Sequence, residues 1–90
     1  MNRQSAHWMK REHERILEFL DSEGMSTPSL IANEMFRQVS AGHVTERLVD
    51  LEDAGLVHRA GMDSFELTSE GERYLDGDLD AEYQPRPRRV

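Results

Sequence analysis

The sequence predicts a mainly α-helical domain with one small β-hairpin, spanning residues 5–84. Three segments carry apolar residues near helical spacing, and a capping residue or a glycine bounds each of them. Two short stretches on either side of Gly61 then alternate apolar and polar residues, as the strands of a hairpin do. The predicted order is therefore three helices, a hairpin and a last helix.

The first helix is predicted over residues 5–23, beginning at Ser5. Met9, Ile16 and Leu20 recur near helical spacing and define its buried side. Gly24 follows as a stop signal, because glycine tolerates the backbone conformations that end a helix.

A short second helix is predicted to begin at Pro28. The Thr27 hydroxyl can cap its free amides, and proline lacks the amide that would stay unpaired at this position. The buried side of this helix is formed by Leu30, Ile31 and Met35.

The third helix is predicted over residues 41–54, after a turn formed by Arg37 and Gln38. Ser40 offers the N-terminal cap. The buried side is an apolar stripe at spacings of four and three residues, formed by Val44, Leu48 and Leu51. Two helices joined by a tight turn are the arrangement that places a helix in a DNA groove.

The hairpin strands are predicted at residues 56–60 and 64–67, and Gly61 can adopt the positive φ that a tight turn needs. Residues 68–69, a Thr-Ser pair, cap a last helix that Gly77 interrupts. An irregular turn or helix packed on the first helix is expected to follow. The Pro- and Arg-rich residues 85–90 are predicted to form a disordered basic tail.

The charge balance is acidic, with 18 Asp and Glu against 11 Lys and Arg and a formal net charge of -7. Generic attraction to nucleic acid is not expected at low salt. Lys10 is the only lysine, and this composition favours a halophilic protein, kept hydrated in concentrated salt, over an ordinary acidic mesophilic domain. In molar salt the Debye length is about 3 Å, so only close contacts count there.

The chemistry-bearing motifs of enzymes are absent from the sequence. It has no Cys, no glycine-rich phosphate loop and no His-Glu-x-x-His helix, so we expect neither an enzyme nor a cofactor. His7 and His13 do not share a helical face, so we expect no metal site. Without a long apolar run or a signal peptide, a soluble cytoplasmic protein is expected, with no membrane contact. A core this small leaves little room for a pocket, so no small-molecule ligand is expected.

Four stretches of the sequence resemble a known family: WMKREHERILEFLDSEG, TPSLIANEM, VTERLVDLEDAGLV and FELTSEGERYLDGDLD. They are similar to the winged helix-turn-helix transcription regulators of salt-loving archaea, including a phage-repressor-like group. The resemblance implies a three-helix core, a two-stranded wing and a C-terminal helix. It also implies sequence-specific binding to double-stranded DNA by a regulator, a repressor, with the helix at residues 41–54 in the major groove.

Carried over residue by residue, the resemblance places base readers on the exposed face at the start of the third helix. Arg47 can bind guanine through two hydrogen bonds, Glu46 can accept one from cytosine, and His43 can reach a base edge or a phosphate. Arg37 in the turn and Arg59 in the wing are the candidates for backbone contact. The complete predicted set is Arg37, Ser40, Gly42, His43, Thr45, Glu46, Arg47 and Arg59.

Other interpretations of these residues stay open. Arg47 could form a surface pair with Asp50, one turn further along the helix, and make no DNA contact. His43 could be a solvated helix histidine. The short wing could touch phosphate through Arg59 alone or not touch DNA. The whole fold could also serve as a protein-protein interaction adaptor without direct DNA contact, which the acidity of the third helix favours.

We expect a homodimer, because a chain of 90 residues supports only one modest core. Trp8, Leu79 and Tyr83 are apolar residues that this core does not need, so they are predicted to form the dimer interface. A two-fold protein would bind two half-sites about one helical turn apart and repress by occlusion.

Overall fold

The computed structural model describes residues 2–35 and 39–88. In chain order it contains α1 (Arg11–Glu23), α2 (Pro28–Met35), α3 (Ala41–Asp53), β1 (Val57–Arg59), β2 (Phe65–Leu67), α4 (Ser69–Leu75) and a 3₁₀ turn (Ala81–Tyr83). The predicted fold class, a mainly helical winged helix-turn-helix, is confirmed. Over the described residues, no helix is both long and apolar enough to cross a lipid bilayer.

The first helix begins at Arg11 and not at the predicted Ser5. Ala6 and Trp8 are buried in the core, which draws the chain before Arg11 out of the helical path. The Ser5 hydroxyl donates to Glu14 on the completed helix at 2.9 Å. Helix-like spacing before Arg11 therefore reflects burial of an irregular segment.

The caps of α2 and α3 are those that the sequence predicts. The Thr27 hydroxyl accepts from the Leu30 amide at 3.1 Å, and the Ser40 hydroxyl accepts from the His43 amide at 3.1 Å. These bonds satisfy amides that an isolated helix start leaves unpaired. The turn predicted at Arg37 and Gln38 lies outside the described residues.

The wing is an antiparallel hairpin in which Val57 pairs with Leu67 and Arg59 with Phe65. Gly61 lies in its connection with φ 103°, as the sequence predicts. The link between α1 and α2 adds a further bridge, since Ser26 and Phe65 exchange two backbone hydrogen bonds of 3.0 and 2.9 Å. This bridge fixes the wing beside the two helices.

The core draws on α1, α2, α3, the hairpin and α4. Ile16, Leu48 and Phe65 are among its fully buried side chains. At Gly71, an added Cβ would lie 2.2 Å from the Leu56 carbonyl oxygen, so only glycine lets α4 start this close to the hairpin.

The chain ends contact each other and the domain. The Ala81 amide donates to the Gln4 carbonyl at 2.9 Å. In the tail that was predicted to be disordered, Pro87 is buried and the Arg88 amide donates to Asp53 at 3.1 Å. Pro87 and Arg88 therefore contact the domain, although the composition of the tail predicts disorder. Residues 89 and 90 lie outside the described part.

Candidate nucleic-acid interface

One side of α3 points away from the core and forms what we call the outer strip. Its members recur at spacings of three and four residues, opposite the buried Val44 and Leu48. The outer strip consists of Gly42, Thr45, Glu46, Val49 and Asp53. Gly42 and Glu46 are exposed and the other three are half-buried. Three of the predicted base readers, Gly42, Thr45 and Glu46, lie together on this strip.

Hydroxyl groups at the start of α3 already have partners within the helix. Ser40 accepts the capping bond from the His43 amide, while Thr45 donates to the Ala41 carbonyl at 2.9 Å. The Ser40 hydroxyl keeps its own proton to donate, whereas the Thr45 oxygen keeps lone pairs that can accept. The two residues therefore offer opposite hydrogen-bonding capacity to a ligand.

His43 and Arg47 lie on the side of α3 that faces α1, and not on the outer strip. One carboxylate oxygen of Glu12 lies 2.9 Å from His43 Nε2 and 2.9 Å from Arg47 Nε. The Arg47 side chain is only 16% exposed. The hydrogen bond from His43, followed by that from Arg47, lowers the pKa of Glu12. Helical spacing predicts Arg47 on the exposed face, because this spacing gives no indication of a partner on α1.

A buried His-Asp pair lies behind this cluster. His13 Nε2 is 2.9 Å from Asp50 Oδ2, and both side chains are almost completely buried. The other ring nitrogen accepts the Lys10 amide at 2.9 Å, so Nε2 carries the hydrogen that Asp50 accepts. The Trp8 ring packs edge-on against His13, with centroids 5.2 Å apart.

Asp50 also lies 3.8 Å from Arg47 Nη1, which is the pairing that the sequence left open as an alternative for this arginine. The guanidinium thus has a carboxylate on each side, Glu12 from α1 and Asp50 from α3. Sequence analysis missed Glu12 and His13, because neither lies near α3 in the chain and no local pattern links them to it.

Arg59 in the wing is held by α3 and by its own hairpin. Its Nε lies 3.3 Å from the Glu52 carboxylate, and its guanidinium lies 4.8 Å from the centroid of the Phe65 ring. An open cleft of about 250 Å³ separates the wing from the starts of α2 and α3. Ser29, Gly42, Thr45, Arg59 and Asp63 are among the residues that line this cleft.

Val49 is a candidate contact residue that the sequence analysis did not single out. Among the described residues, it belongs neither to the core nor to the half-buried apolar side chains packed against it. Its signal is visible in the sequence, since Val49 is the apolar member of a strip that is otherwise small, polar or acidic. Arg37, predicted to contact the backbone, lies outside the described residues.

The three residues predicted at a dimer interface have different environments. Trp8 is a core residue with 8% of its surface exposed, and Leu79 is half-buried and packs against the core. Tyr83 is 87% exposed. The irregular segment before α1 folds back onto the domain, so the core takes up Trp8 and leaves Tyr83 as the accessible member.

The comparisons with known proteins agree with this fold. The family described as winged helix-turn-helix phage repressor matches residues 1–84. Among solved structures, the chain is similar to the PhiH1 repressor-like protein from Haloarcula marismortui, with 32% sequence identity and a TM-score of 0.87. That likeness covers 96% of this chain and 98% of the other. No curated protein matches the chain.

Proposed function

Because the chain belongs to the winged helix-turn-helix phage repressor family, we propose that it binds double-stranded DNA with sequence preference and represses transcription. The observation that carries this proposal is the outer strip of α3, the side of the helix opposite its buried Val44 and Leu48, on which Gly42 and Glu46 are exposed. Such a strip, beside a cleft that leads to the wing, suits the major groove of DNA.

The chemistry of the outer strip supports contact with base edges. The Glu46 carboxylate can accept a hydrogen bond from the cytosine amine, and the Thr45 oxygen can accept one from adenine or cytosine. An added Cβ at Gly42 would meet nothing closer than the Ser40 hydroxyl at 3.8 Å. The fold therefore does not require glycine at this position, and glycine weakens the helix. Because Gly42 has no side chain, it permits close approach of the helix backbone to DNA.

Contacts to the DNA backbone are proposed at positively charged residues around the outer strip. Arg37 in the turn and Arg59 in the wing are two of them, and Arg59 would exchange Glu52 for a phosphate. Lys10 and Arg11 are exposed at the start of α1, next to Glu12, and extend this cationic set. The amides at the start of α3 add partial positive charge without any side chain.

We also propose that the protein works in concentrated salt and as a homodimer. The likeness to a Haloarcula protein supports the first point, and the acidic composition agrees with it. A dimer would use the exposed Tyr83 and bind two half-sites, so that occupancy of the operator excludes polymerase. Sedimentation of the free protein and of its DNA complex gives the number of chains in each.

A protein-protein interaction adaptor is the second candidate function. Glu46 and Asp53 give the outer strip an acidic character, which suits a basic protein partner better than a polyanion. Close hydrogen bonds to cytosine can outweigh this disadvantage only where salt screens the rest of the acidic surface.

The experiment that separates the two functions is selection of bound sequences from a random duplex library, in molar potassium chloride and again at low salt. We expect a palindromic site to be enriched in molar salt. Glu46→Gln should change the preferred base at one position of each half-site, whereas Glu70→Gln, the same change on α4, should leave the site unchanged. Lack of enrichment at both salt concentrations would contradict DNA binding and favour the adaptor.

A further inference from the structure

Glu12 on α1 contacts two side chains of α3, His43 and Arg47. Its Oε1 atom lies within 2.9 Å of both His43 Nε2 and Arg47 Nε, so a single oxygen holds two side chains that stand one helical turn apart. The three side chains remain between 16% and 35% exposed, at the edge of the protein surface. His43 and Arg47 therefore keep part of their surface accessible at this edge of the protein.

Arg47 is restrained from two directions. Glu12 engages its Nε, while the buried Asp50 approaches Nη1 to 3.8 Å. Asp50 is in turn held by His13, so the restraint is anchored in the core. A guanidinium held at Nε keeps a defined orientation, and the hydrogen bonds of arginine to guanine depend on that orientation.

We propose that Glu12 is a positioning residue that sets the base preference of α3 by restraining Arg47 and His43; this rests on the DNA-binding function proposed above. An unrestrained arginine beside DNA binds any phosphate within reach, and phosphate contacts carry no sequence information. A restrained arginine gains little from phosphates that it cannot reach, whereas a guanine at the right position binds it at low entropic cost. Glu12 therefore lowers the affinity for DNA of any sequence and raises the preference for the selected sequence.

Glu12→Gln tests this inference, with Glu18→Gln as the matched control. Both glutamates lie on α1, both pair with an arginine, and both substitutions remove one negative charge. The readout is the ratio of affinities for the selected duplex and a scrambled duplex in the same salt. We expect Glu12→Gln to tighten binding to the scrambled duplex and to reduce the ratio roughly tenfold, as for one lost bidentate contact. Glu18→Gln should leave the ratio unchanged.

A double substitution shows whether Glu12 acts through Arg47. Arg47→Ala alone should lower the ratio, and adding Glu12→Gln to it should have little further effect. Glu12→Asp keeps the charge but shortens the side chain, so it should lower the ratio as Glu12→Gln does. This variant keeps the test informative if Glu12→Gln does not fold, which circular dichroism determines.

Two failures of this experiment have different meanings. If the wild-type protein distinguishes the two duplexes and Glu12→Gln behaves like Glu18→Gln, the positioning role of Glu12 is wrong and the DNA-binding function stands. If the wild-type protein binds the two duplexes equally, the proposed function fails and the role of Glu12 fails with it.

Discussion

The buried His13 ring joins the start of α1 to α3 through both of its nitrogens. Nδ1 accepts from the Lys10 amide and Nε2 donates to Asp50, so the ring is neutral. A second proton would go to Nδ1 and displace the Lys10 amide. Burial lowers the pKa of His13, and the hydrogen bond to Asp50 opposes that effect without reversing it.

The first prediction concerns stability against pH. The folded chain has the lower pKa at His13, so the unfolded chain binds the proton first as the pH falls. The stability that neutral His13 contributes to the folded chain is fully present above a pH of about 6.5, the ordinary pKa of histidine. It decreases below that pH until the folded pKa is passed. Urea unfolding at a series of pH values between about 5 and 7.5 measures the decrease.

A histidine variant serves as the control for this prediction. His13→Gln removes the titrating ring and should flatten the pH dependence, at a cost of about 2 to 4 kcal/mol, because Asp50 loses a buried partner. An unchanged slope in His13→Gln would show that other groups cause the dependence.

At the scale of the element, α3 carries an apolar side chain that the described core does not use. Val44 and Leu48 are buried, whereas Val49 lies on the outer strip. An apolar side chain that faces the major groove has a natural partner in the C5 methyl group of thymine.

We therefore predict that Val49 recognises thymine by its methyl group. Replacing each thymine of the selected site by uracil in turn removes that methyl group alone. At one thymine of each half-site, we expect wild-type affinity to fall about fourfold, which corresponds to about 0.8 kcal/mol for a group of this size. The measurement is a fluorescence anisotropy titration with each substituted duplex.

Val49→Ala should bind thymine and uracil duplexes equally at that position. Val39→Ala is the matched control, since Val39 is a half-buried valine that packs against the core, and it should keep the wild-type sensitivity. Should Val49→Ala remain as sensitive to uracil as the wild type at every thymine, the proposed methyl contact is wrong.

Local signals predicted most of these elements, and tertiary packing explains the exceptions. Caps at Thr27 and Ser40 act within one turn of their helix, so the starts of α2 and α3 can be inferred from the sequence. The start of α1 cannot, because the residues before Arg11 are fixed by burial of Trp8 in the core.

The candidate site follows the same division between local and tertiary effects. The exposure of Gly42 and Glu46 follows from helical periodicity alone. The orientation of Arg47 does not, since its partner Glu12 lies 35 residues away in the chain. No spacing rule connects two helices at that separation, so only their packing reveals which cations α1 holds.

At the scale of the whole molecule, the acidic residues restrain cations as well as covering the surface. Glu12 holds Arg47, and Glu52 holds Arg59. Two of the cations near α3, Arg47 and Arg59, are therefore held in pairs in the free protein, which reduces the number of side chains available for phosphate contact. Binding that uses fewer phosphate contacts depends less steeply on salt.

The most direct test of DNA recognition by this acidic protein is its affinity for the selected and scrambled duplexes across a potassium chloride series up to molar concentration. We expect the logarithm of the affinity to fall with that of the salt concentration at a slope no steeper than about -7, which corresponds to about eight phosphate contacts, four from each chain of a dimer. Preference for the selected duplex should persist in molar salt. Equal affinity for the two duplexes throughout the series would contradict sequence recognition by α3.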